Sequence, residues 1–256
     1  MHSLFFESMQ GIIRISNLKK TFKGNPEEVL KGVDLEIFAG EFFGLLGPNA
    51  AGKTTLISVI CGLLRYDEGH VVVHDIDIAS HYRKINQFIG LIPQEIALYP
   101  TLTVRENLAF FGQMHGLSGK TLKNKIDEYI EVVQLEHHAG KRIATCSGGI
   151  KRRANLAAGL IHDPSIVFLD EPTLGVDAQS MNLIYDYLQK LNGTGKTIIY
   201  TTHYMKEAEN LCNRVTIIDD GRIIAKGTPA DLIKNNPGCN DLGQVFIRLT
   251  GRELRD

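Results

Sequence analysis

The 256-residue sequence lacks several features, and each absence removes a class of function. Its charges nearly cancel, to a formal net charge of -1, and the nine histidines do not change that. No basic excess marks a nucleic-acid footprint, so DNA or RNA is not an expected partner. Its four cysteines, Cys61, Cys146, Cys212 and Cys239, lie far apart and form no C-x-x-C pair. That argues against a zinc site or redox motif and fits reduced thiols acting as small buried hydrophobes. No apolar run approaches the roughly 18 residues of a membrane-spanning helix, and Leu4-Phe5-Phe6, followed by Glu7, is too short for a signal-peptide core. Residues 1–8 receive no assignment, and Met9 reads as an alternative start or as part of a leader. There is no internal repeat and no low-complexity segment. What remains, 43% hydrophobic and 22% charged, suits a globular chain with a sizeable core.

The most informative stretch that is present is Gly47-Pro48-Asn49-Ala50-Ala51-Gly52-Lys53-Thr54-Thr55, a full G-x-x-x-x-G-K-[ST] match. A polyphosphate needs several backbone N–H groups turned toward it, and glycines let the chain present them at a helix N-terminus. Lys53 would reach the β- and γ-phosphates, and the Thr54 hydroxyl would ligate Mg²⁺. The context agrees. Phe42-Phe43-Gly44-Leu45-Leu46 reads as a strand buried on both faces, and Leu56, Val59, Ile60, Leu63 and Leu64 fall on one helical stripe after the loop. The alternative is a glycine-rich turn carrying an exposed lysine.

Around this loop, Ile12–Leu18 and Gly32–Phe38 alternate apolar and polar residues, the pattern of a small antiparallel sheet with one wet face. Between them, the turn-rich Lys19–Pro26 carries Phe22, which either stacks on a base or sits at a core edge. Strands are expected at Val71–Val73 and Ile89–Pro93. From about residue 95 to 160 the pattern turns helical. Thr103–Glu106 is a capping box, Leu122, Ile126, Tyr129, Ile130 and Val133 share one face, and a third helix carries Leu156, Leu160 and Ile161. That helix starts after Ser147-Gly148-Gly149, a second candidate anion site.

Ile166-Val167-Phe168-Leu169 closes on Asp170-Glu171, a buried parallel strand with two carboxylates at its C-terminal end. Beside a phosphate loop, this suggests that Asp170 serves the Mg²⁺ shell and that Glu171 polarises the water attacking the γ-phosphate. The alternative is a pair of helix-capping acids. A helix with Leu183, Tyr187, Leu188 and Leu191 on one stripe follows, then the strand Thr197–Thr202. The strand ends at His203, which could donate to the γ-phosphate or its water or be an ordinary strand-end histidine. Val215–Ile218 and Ile223–Ala225 flank an Asp-Gly hairpin turn, and Thr228-Pro229-Ala230-Asp231 begins a last helix.

In this order the motifs resemble those of the ATP-binding cassette ATPases over essentially the whole chain. Phe22 looks like the adenine-stacking aromatic, Gln94 like the glutamine linking metal to helical subdomain, and Ser147-Gly148-Gly149 like the family signature. Asp170 and Glu171 look like metal residue and base, Gly175-Val176-Asp177 like the loop that crosses to a partner, and His203 like the switch histidine. The signature usually reads L-S-G-G-Q. Here it is Cys146-Ser147-Gly148-Gly149-Ile150, a departure that bears on contacts around the ribose, while the retained hydroxyl and glycine N–H groups imply that hydrolysis survives. Phe22 stands where tyrosine is commoner, and Ala50 where glycine is frequent.

The resemblance implies an α/β fold: a P-loop NTPase, RecA-like core with a mainly parallel sheet, an antiparallel β subdomain and an inserted α-helical subdomain. It implies one ATP-binding domain over residues 9–240, with core at 9–94 and 162–227, helical subdomain at 95–161 and helical tail at 228–256. It further implies ATP and Mg²⁺ as cofactors, with Thr54, Gln94 and Asp170 at the metal and Glu171, His203, Gln94 and Lys53 in catalysis. Partners would be a transmembrane permease and a second copy or related ATPase subunit in a head-to-tail dimer. The location would be cytoplasmic, on the inner face of the membrane.

Thr201–Glu209, Tyr99–Asn107 and the ending Leu249-Thr250-Gly251-Arg252-Glu253 are similar to the branch serving daunorubicin-type drug and polysaccharide exporters. A separately encoded exporter subunit is therefore expected, contacting its permease through the segment after Gln94 with Tyr99-Pro100. A soluble cassette ATPase of the DNA-repair type fits less well, because residues 95–146 hold no sustained heptads. A translation-associated cassette protein would carry two cassettes. A P-loop kinase would need an acceptor pocket, and a scaffold would bind ATP without releasing phosphate.

Overall fold

The computed structural model describes residues 11–24 and 27–251. The Leu4-Phe5-Phe6 segment, Met9, Asn25-Pro26 and Arg252-Glu253 lie outside the described residues. The chain forms two compact units, Met1–Asn86 with Ile199–Asp256, and Gln87–Ile198.

The first unit opens with β1 (Ile13–Thr21) and β2 (Glu28–Ile37), then β3 (Phe42–Leu46) and α1 (Lys53–Ile60), then β4 (Glu68–Val73), β5 (Ile76–Asp77) and α2 (Ile78–Ile85). The alternation seen in the sequence becomes an antiparallel sheet of order β2-β1-β4-β5. Its register places Ile13 opposite both Ile37 and Val73, and Ile15 opposite Leu35 and Val71. All six side chains are buried on one face, as a period of two requires. β3 has no polar residue and is buried throughout. The stripe expected to continue through Leu63 and Leu64 does not. α1 ends at Ile60, Gly62 takes a left-handed φ of 69°, and Leu63 is 68% exposed.

The second unit begins with β6 (Ile89–Ile92), continues through α3 (Val104–Met114), α4 (Gly119–Val132) and α5 (Gly148–Leu160), and returns through β7 (Ile166–Asp170) and α6 (Ala178–Gly193). β6 and β7 pair in parallel, Ile89 with Ile166 and Ile92 with Leu169. The capping box is formed in full. Thr103 accepts from the Glu106 N–H, and the Glu106 carboxylate accepts from the Thr103 N–H. Leu122, Ile126, Tyr129, Ile130 and Val133 are all buried, as their spacing predicts. In α6 the buried line is Ser180, Ile184 and Leu188, with Leu183, Tyr187 and Leu191 only half-buried at its flanks, so the expected stripe is rotated by about one residue.

In β8 (Thr197–Thr202), buried along its length, the chain passes back to the first unit. There follow α7 (Met205–Leu211), β9 (Arg214–Asp219), β10 (Arg222–Gly227), α8 (Pro229–Lys234) and α9 (Leu242–Thr250). β9 runs parallel to β3 and antiparallel to β10. The Asp220-Gly221 turn has positive φ at both residues, 45° and 72°, as a tight hairpin needs. Thr228 caps α8, but α8 is not the last helix. α9 follows, capped by Asp241, and buries Leu242, Val245 and Phe246. Among the described residues no helix is long and apolar enough to cross a membrane.

Candidate functional site

In the first unit, β3 delivers the chain to Gly47, where any Cβ would run into the Ile218 carbonyl oxygen, so only glycine fits beside β9. The loop then closes on itself, with the Ala51 N–H donating to the Pro48 carbonyl at 3.2 Å. Ala50 and Gly52 adopt positive φ, 65° and 105°, a conformation that costs an L-residue about 1–2 kcal/mol and glycine almost nothing. The hairpin turn of β9 and β10 braces the loop from below, the Gly221 N–H donating to the Ala51 carbonyl at 3.1 Å. Asp220 of the same turn pairs with Lys31 at 2.6 Å.

α1 begins at Lys53 with no side-chain cap and no acid in its first turn. Its N-terminal N–H groups are therefore not consumed by a capping side chain, and the helix dipole favours an anion there. Lys53 is 7% exposed, and its ammonium donates to the Gly47 and Pro48 carbonyls at 2.7 and 3.0 Å. Asn49, Ala50 and Thr54 are exposed, and Pro48 and Thr55 half-buried. This is a cradle of backbone donors with a cation folded along it, which suits a polyphosphate.

Phe22, left open between base stacking and a core edge, is 40% exposed. The Lys20 ammonium lies 5.8 Å from its ring centre. His203 follows β8 directly, half-buried, with its ring 4.2 Å from that of Tyr204.

In the second unit, Asp170 is the last residue of β7 and only 7% exposed. Glu171 takes a positive φ of 48°, which turns its side chain out of line with the strand. Gln94, two residues beyond β6, donates from Nε2 to Glu171 Oε2 at 3.2 Å. Neither carboxylate caps the following helix. That work is done by Asp177, which accepts from the Ser180 N–H at 2.9 Å, and this bond holds its carboxyl below the usual range.

Ser147 is the N-cap residue of α5, exposed, and its hydroxyl makes no capping bond. Gly149 packs so tightly against the cap of α6 that a Cβ would lie 2.6 Å from Ser180 Oγ and 2.8 Å from Asp177 Oδ2. Signature and Asp177 are thus brought together within one unit. Cys146 is buried, as are Cys61 and Cys212, whereas Cys239 is half-buried, against the expectation for all four. Burial raises the Cys61 and Cys212 thiols far above their usual range, which keeps them protonated.

Three residues that position this machinery carry no local motif. Arg152, in the first turns of α5 and 6% exposed, donates to the Gln94 carbonyl at 2.7 Å and more weakly to those of Pro93 and Leu174. Asn155 accepts from the Ala97 N–H at 3.0 Å. Asn107, fully buried, accepts from the Tyr99 N–H and donates to the Tyr99 and Thr103 carbonyls. The only sequence signal for them is a polar residue on the apolar side of a helix.

The ABC transporter family matches residues 30–174. The linearmycin resistance ATP-binding protein LnrL of Bacillus subtilis (strain 168) is 46% identical over 240 residues, 93% of this chain and 75% of that protein. The Nod factor export ATP-binding protein I of Burkholderia lata is 41% identical over 228 residues, 89% of this chain and 74% of its own length. A dimeric ATP-binding cassette in a post-hydrolysis state bound to ADP and Pi superposes with a TM-score of 0.78 at 29% identity, covering 84% of this chain and 98% of that one. The ATP-binding subunit of an ABC transporter superposes with a TM-score of 0.84 at 25% identity, covering 93% and 99%. The fold and the phosphate cradle define a P-loop ATPase, with a RecA-like core, an antiparallel β part and an inserted helical part. Within that class the chain belongs to the ABC transporter family, as an ATP-binding and ATP-hydrolysing subunit.

Proposed function

We propose that the chain is the ATPase subunit of an exporter, working as a head-to-tail dimer against a separate membrane permease at the cytoplasmic face. The observation that carries this is the phosphate cradle, an uncapped helix N-terminus with Lys53 lying along the loop carbonyls. The export reading draws on the relatives named for drug resistance and Nod factor export.

Gly47 to Thr55 would hold the phosphates through backbone N–H groups and Lys53, with Phe22 on the adenine. Glu171 would take the proton of the attacking water, and Gln94, already bonded to that carboxylate, would orient it. His203 would contact the γ-phosphate. Thr54, Gln94 and Asp170 offer oxygen donors suited to Mg²⁺. Among the described residues no group of three or more His, Cys, Asp or Glu gathers as a metal cage, and Mg²⁺ commonly takes only one or two carboxylates, with phosphates and water completing its shell. When bound, Mg²⁺ neutralises phosphate charge.

The exposed N-terminus of α5, with an unused Ser147 hydroxyl and the glycine N–H groups, would close the second copy's ATP while Asp177 faces that copy. The permease contact would run through the segment after Gln94, where Tyr99 is exposed. We expect the tagged chain to copurify from membranes with a permease, to crosslink to it from Tyr99, and to release phosphate. Glu171→Gln should keep ATP binding, lose most turnover and accumulate dimer. A soluble complex without a membrane protein, or undiminished turnover in Glu171→Gln, would overturn the permease reading or the base assignment respectively.

A further inference from the structure

The carboxylate of Glu207 is gripped by groups on either side of His203. Its Oε2 accepts from the Thr202 hydroxyl at 2.6 Å and from the Tyr200 hydroxyl at 3.0 Å. The Thr202 oxygen in turn accepts from the Tyr204 N–H at 2.9 Å, and the Glu207 N–H donates to the Tyr204 carbonyl at 3.0 Å. Tyr200 and Thr202 are fully buried among the last three residues of β8, while Glu207 belongs to the first turn of α7. A hydroxyl oxygen 2.6 Å from a carboxylate is the short, charge-assisted kind of hydrogen bond, stronger than a neutral pair. Three of these bonds close a ring through the side chains of Thr202 and Glu207 and the backbone of Tyr204, and His203 lies between two of its members, Thr202 and Tyr204.

This ring fixes the end of β8 and the start of α7 against each other. The backbone of His203 has no freedom to swing unless one of the bonds breaks. α7 is held from its other side, where Leu242, Val245 and Phe246 of α9 are buried and the Leu242 N–H donates to Glu209 at 3.2 Å. Nothing in the spacing of a histidine and a glutamate four residues on requires such a ring. A glutamate in the first turn of a helix would otherwise serve only the helix dipole.

We propose that Glu207 is a positioning residue for ATP hydrolysis, aiming His203 by clamping Tyr200, Thr202 and the Tyr204 N–H around it. The proposal rests on the reading that His203 acts at the γ-phosphate. Misplacing a group that meets the reacting atoms by about 1 Å costs up to about a hundredfold in rate, so Glu207→Ala should lower kcat by roughly tenfold to a hundredfold while KM stays within about twofold. A merely structural glutamate would lower the amount of folded enzyme and leave kcat per active site unchanged.

The test is a cycle in the full chain, comparing kcat and KM of wild type, Glu207→Ala, His203→Ala and the double variant. Glu207→Gln and Tyr200→Phe are measured beside them, in case truncation to Ala leaves the chain unfolded. If Glu207 acts through His203, the double variant is no slower than His203→Ala, and Glu207→Gln, which keeps an acceptor at the same reach, recovers part of the loss. Losses that multiply in the double variant would show that Glu207 acts apart from His203 and would overturn the proposal. An unchanged kcat in Glu207→Ala, or in both Glu207→Gln and Tyr200→Phe where Glu207→Ala does not fold, would overturn it too. Full turnover in His203→Ala would remove the underlying histidine reading instead, a result distinct from either of these.

Discussion

Gly149 and Gly148 are adjacent in the signature, yet their surroundings differ sharply. A Cβ on Gly148 meets nothing nearer than the Gly175 carbonyl at 3.8 Å, whereas one on Gly149 would press into Ser180 and Asp177. Asp177 cannot yield without giving up its cap on α6. Overpacking of this kind costs about 1–3 kcal/mol, so Gly149→Ala should lower Tm by roughly 2–12 °C, taking about 2–4 °C per kcal/mol for a chain of this size. Gly148→Ala should leave Tm within about a degree. Thermal unfolding of the two variants checks this, and equal shifts would mean that the contact between signature and α6 cap is not close. Such contacts are invisible in sequence, since residues 149 and 177 are joined only by the fold. The same holds for Arg152, whose guanidinium reads as a surface charge until the fold brings the Gln94 carbonyl to it. By contrast Thr103 and Glu106 satisfy each other within one turn, and for that reason the capping box is legible in the sequence.

The end of one helix, α3, rests on a residue just beyond the C-cap of another, α5, through two histidines. His115 caps α3, and its ring stacks flat on that of His162, 3.6 Å apart and 2° from parallel. His162 Nε2 lies 3.0 Å from the Ile89 carbonyl, which only accepts, so that nitrogen carries the proton. Its Nδ1 is buried with no hydrogen-bond partner, and a second proton there would be a buried donor without an acceptor. Burial first, and the neighbouring His115 second, push His162 down to about 4, despite the opposing pulls of the Ile89 hydrogen bond and then of Asp163, which is itself paired with Lys196 at 2.8 Å. His115 is lowered in the same direction by burial.

With its folded pKa below its unfolded value of 6.5, His162 binds more protons unfolded than folded between pH 6.5 and about 4. Stability therefore falls as pH drops through that window. His162→Phe keeps a flat ring for the stack and removes the titration. Denaturant midpoints measured from pH 7 to pH 4 should decline less steeply in the variant, and parallel curves would assign the acid sensitivity elsewhere. At this scale, strands whose apolar pattern has period two or is continuous are readable, as are helix starts with a capping side chain such as Thr103 or Thr228, whereas the C-terminal end of α1 is not. α1 stops three residues before Leu63 because Gly62 turns left-handed, although the apolar stripe by itself continues.

For the whole molecule, the decisive property is that one copy presents two anion-seeking helix N-termini, that of α1 behind the phosphate loop and that of α5 behind Ser147. In the head-to-tail reading these serve different nucleotides, one in its own subunit and one in the partner. That reading has a consequence no monomeric ATPase shares. A chain disabled at the loop by Lys53→Ala still offers an intact signature, and a chain disabled at the signature by Ser147→Arg still offers an intact loop. Each alone should show little turnover, the first for want of phosphate binding and the second because a bulky cation occupies the closing face. Mixed, they can form a heterodimer in which one site is whole, the loop coming from the Ser147→Arg chain and the signature from the Lys53→Ala chain, while the other site carries both defects. Phosphate release measured over a titration of one variant into the other should therefore rise to a maximum near equal amounts. If each site used its own signature, every chain in the mixture would carry one defect and activity would stay flat at all ratios.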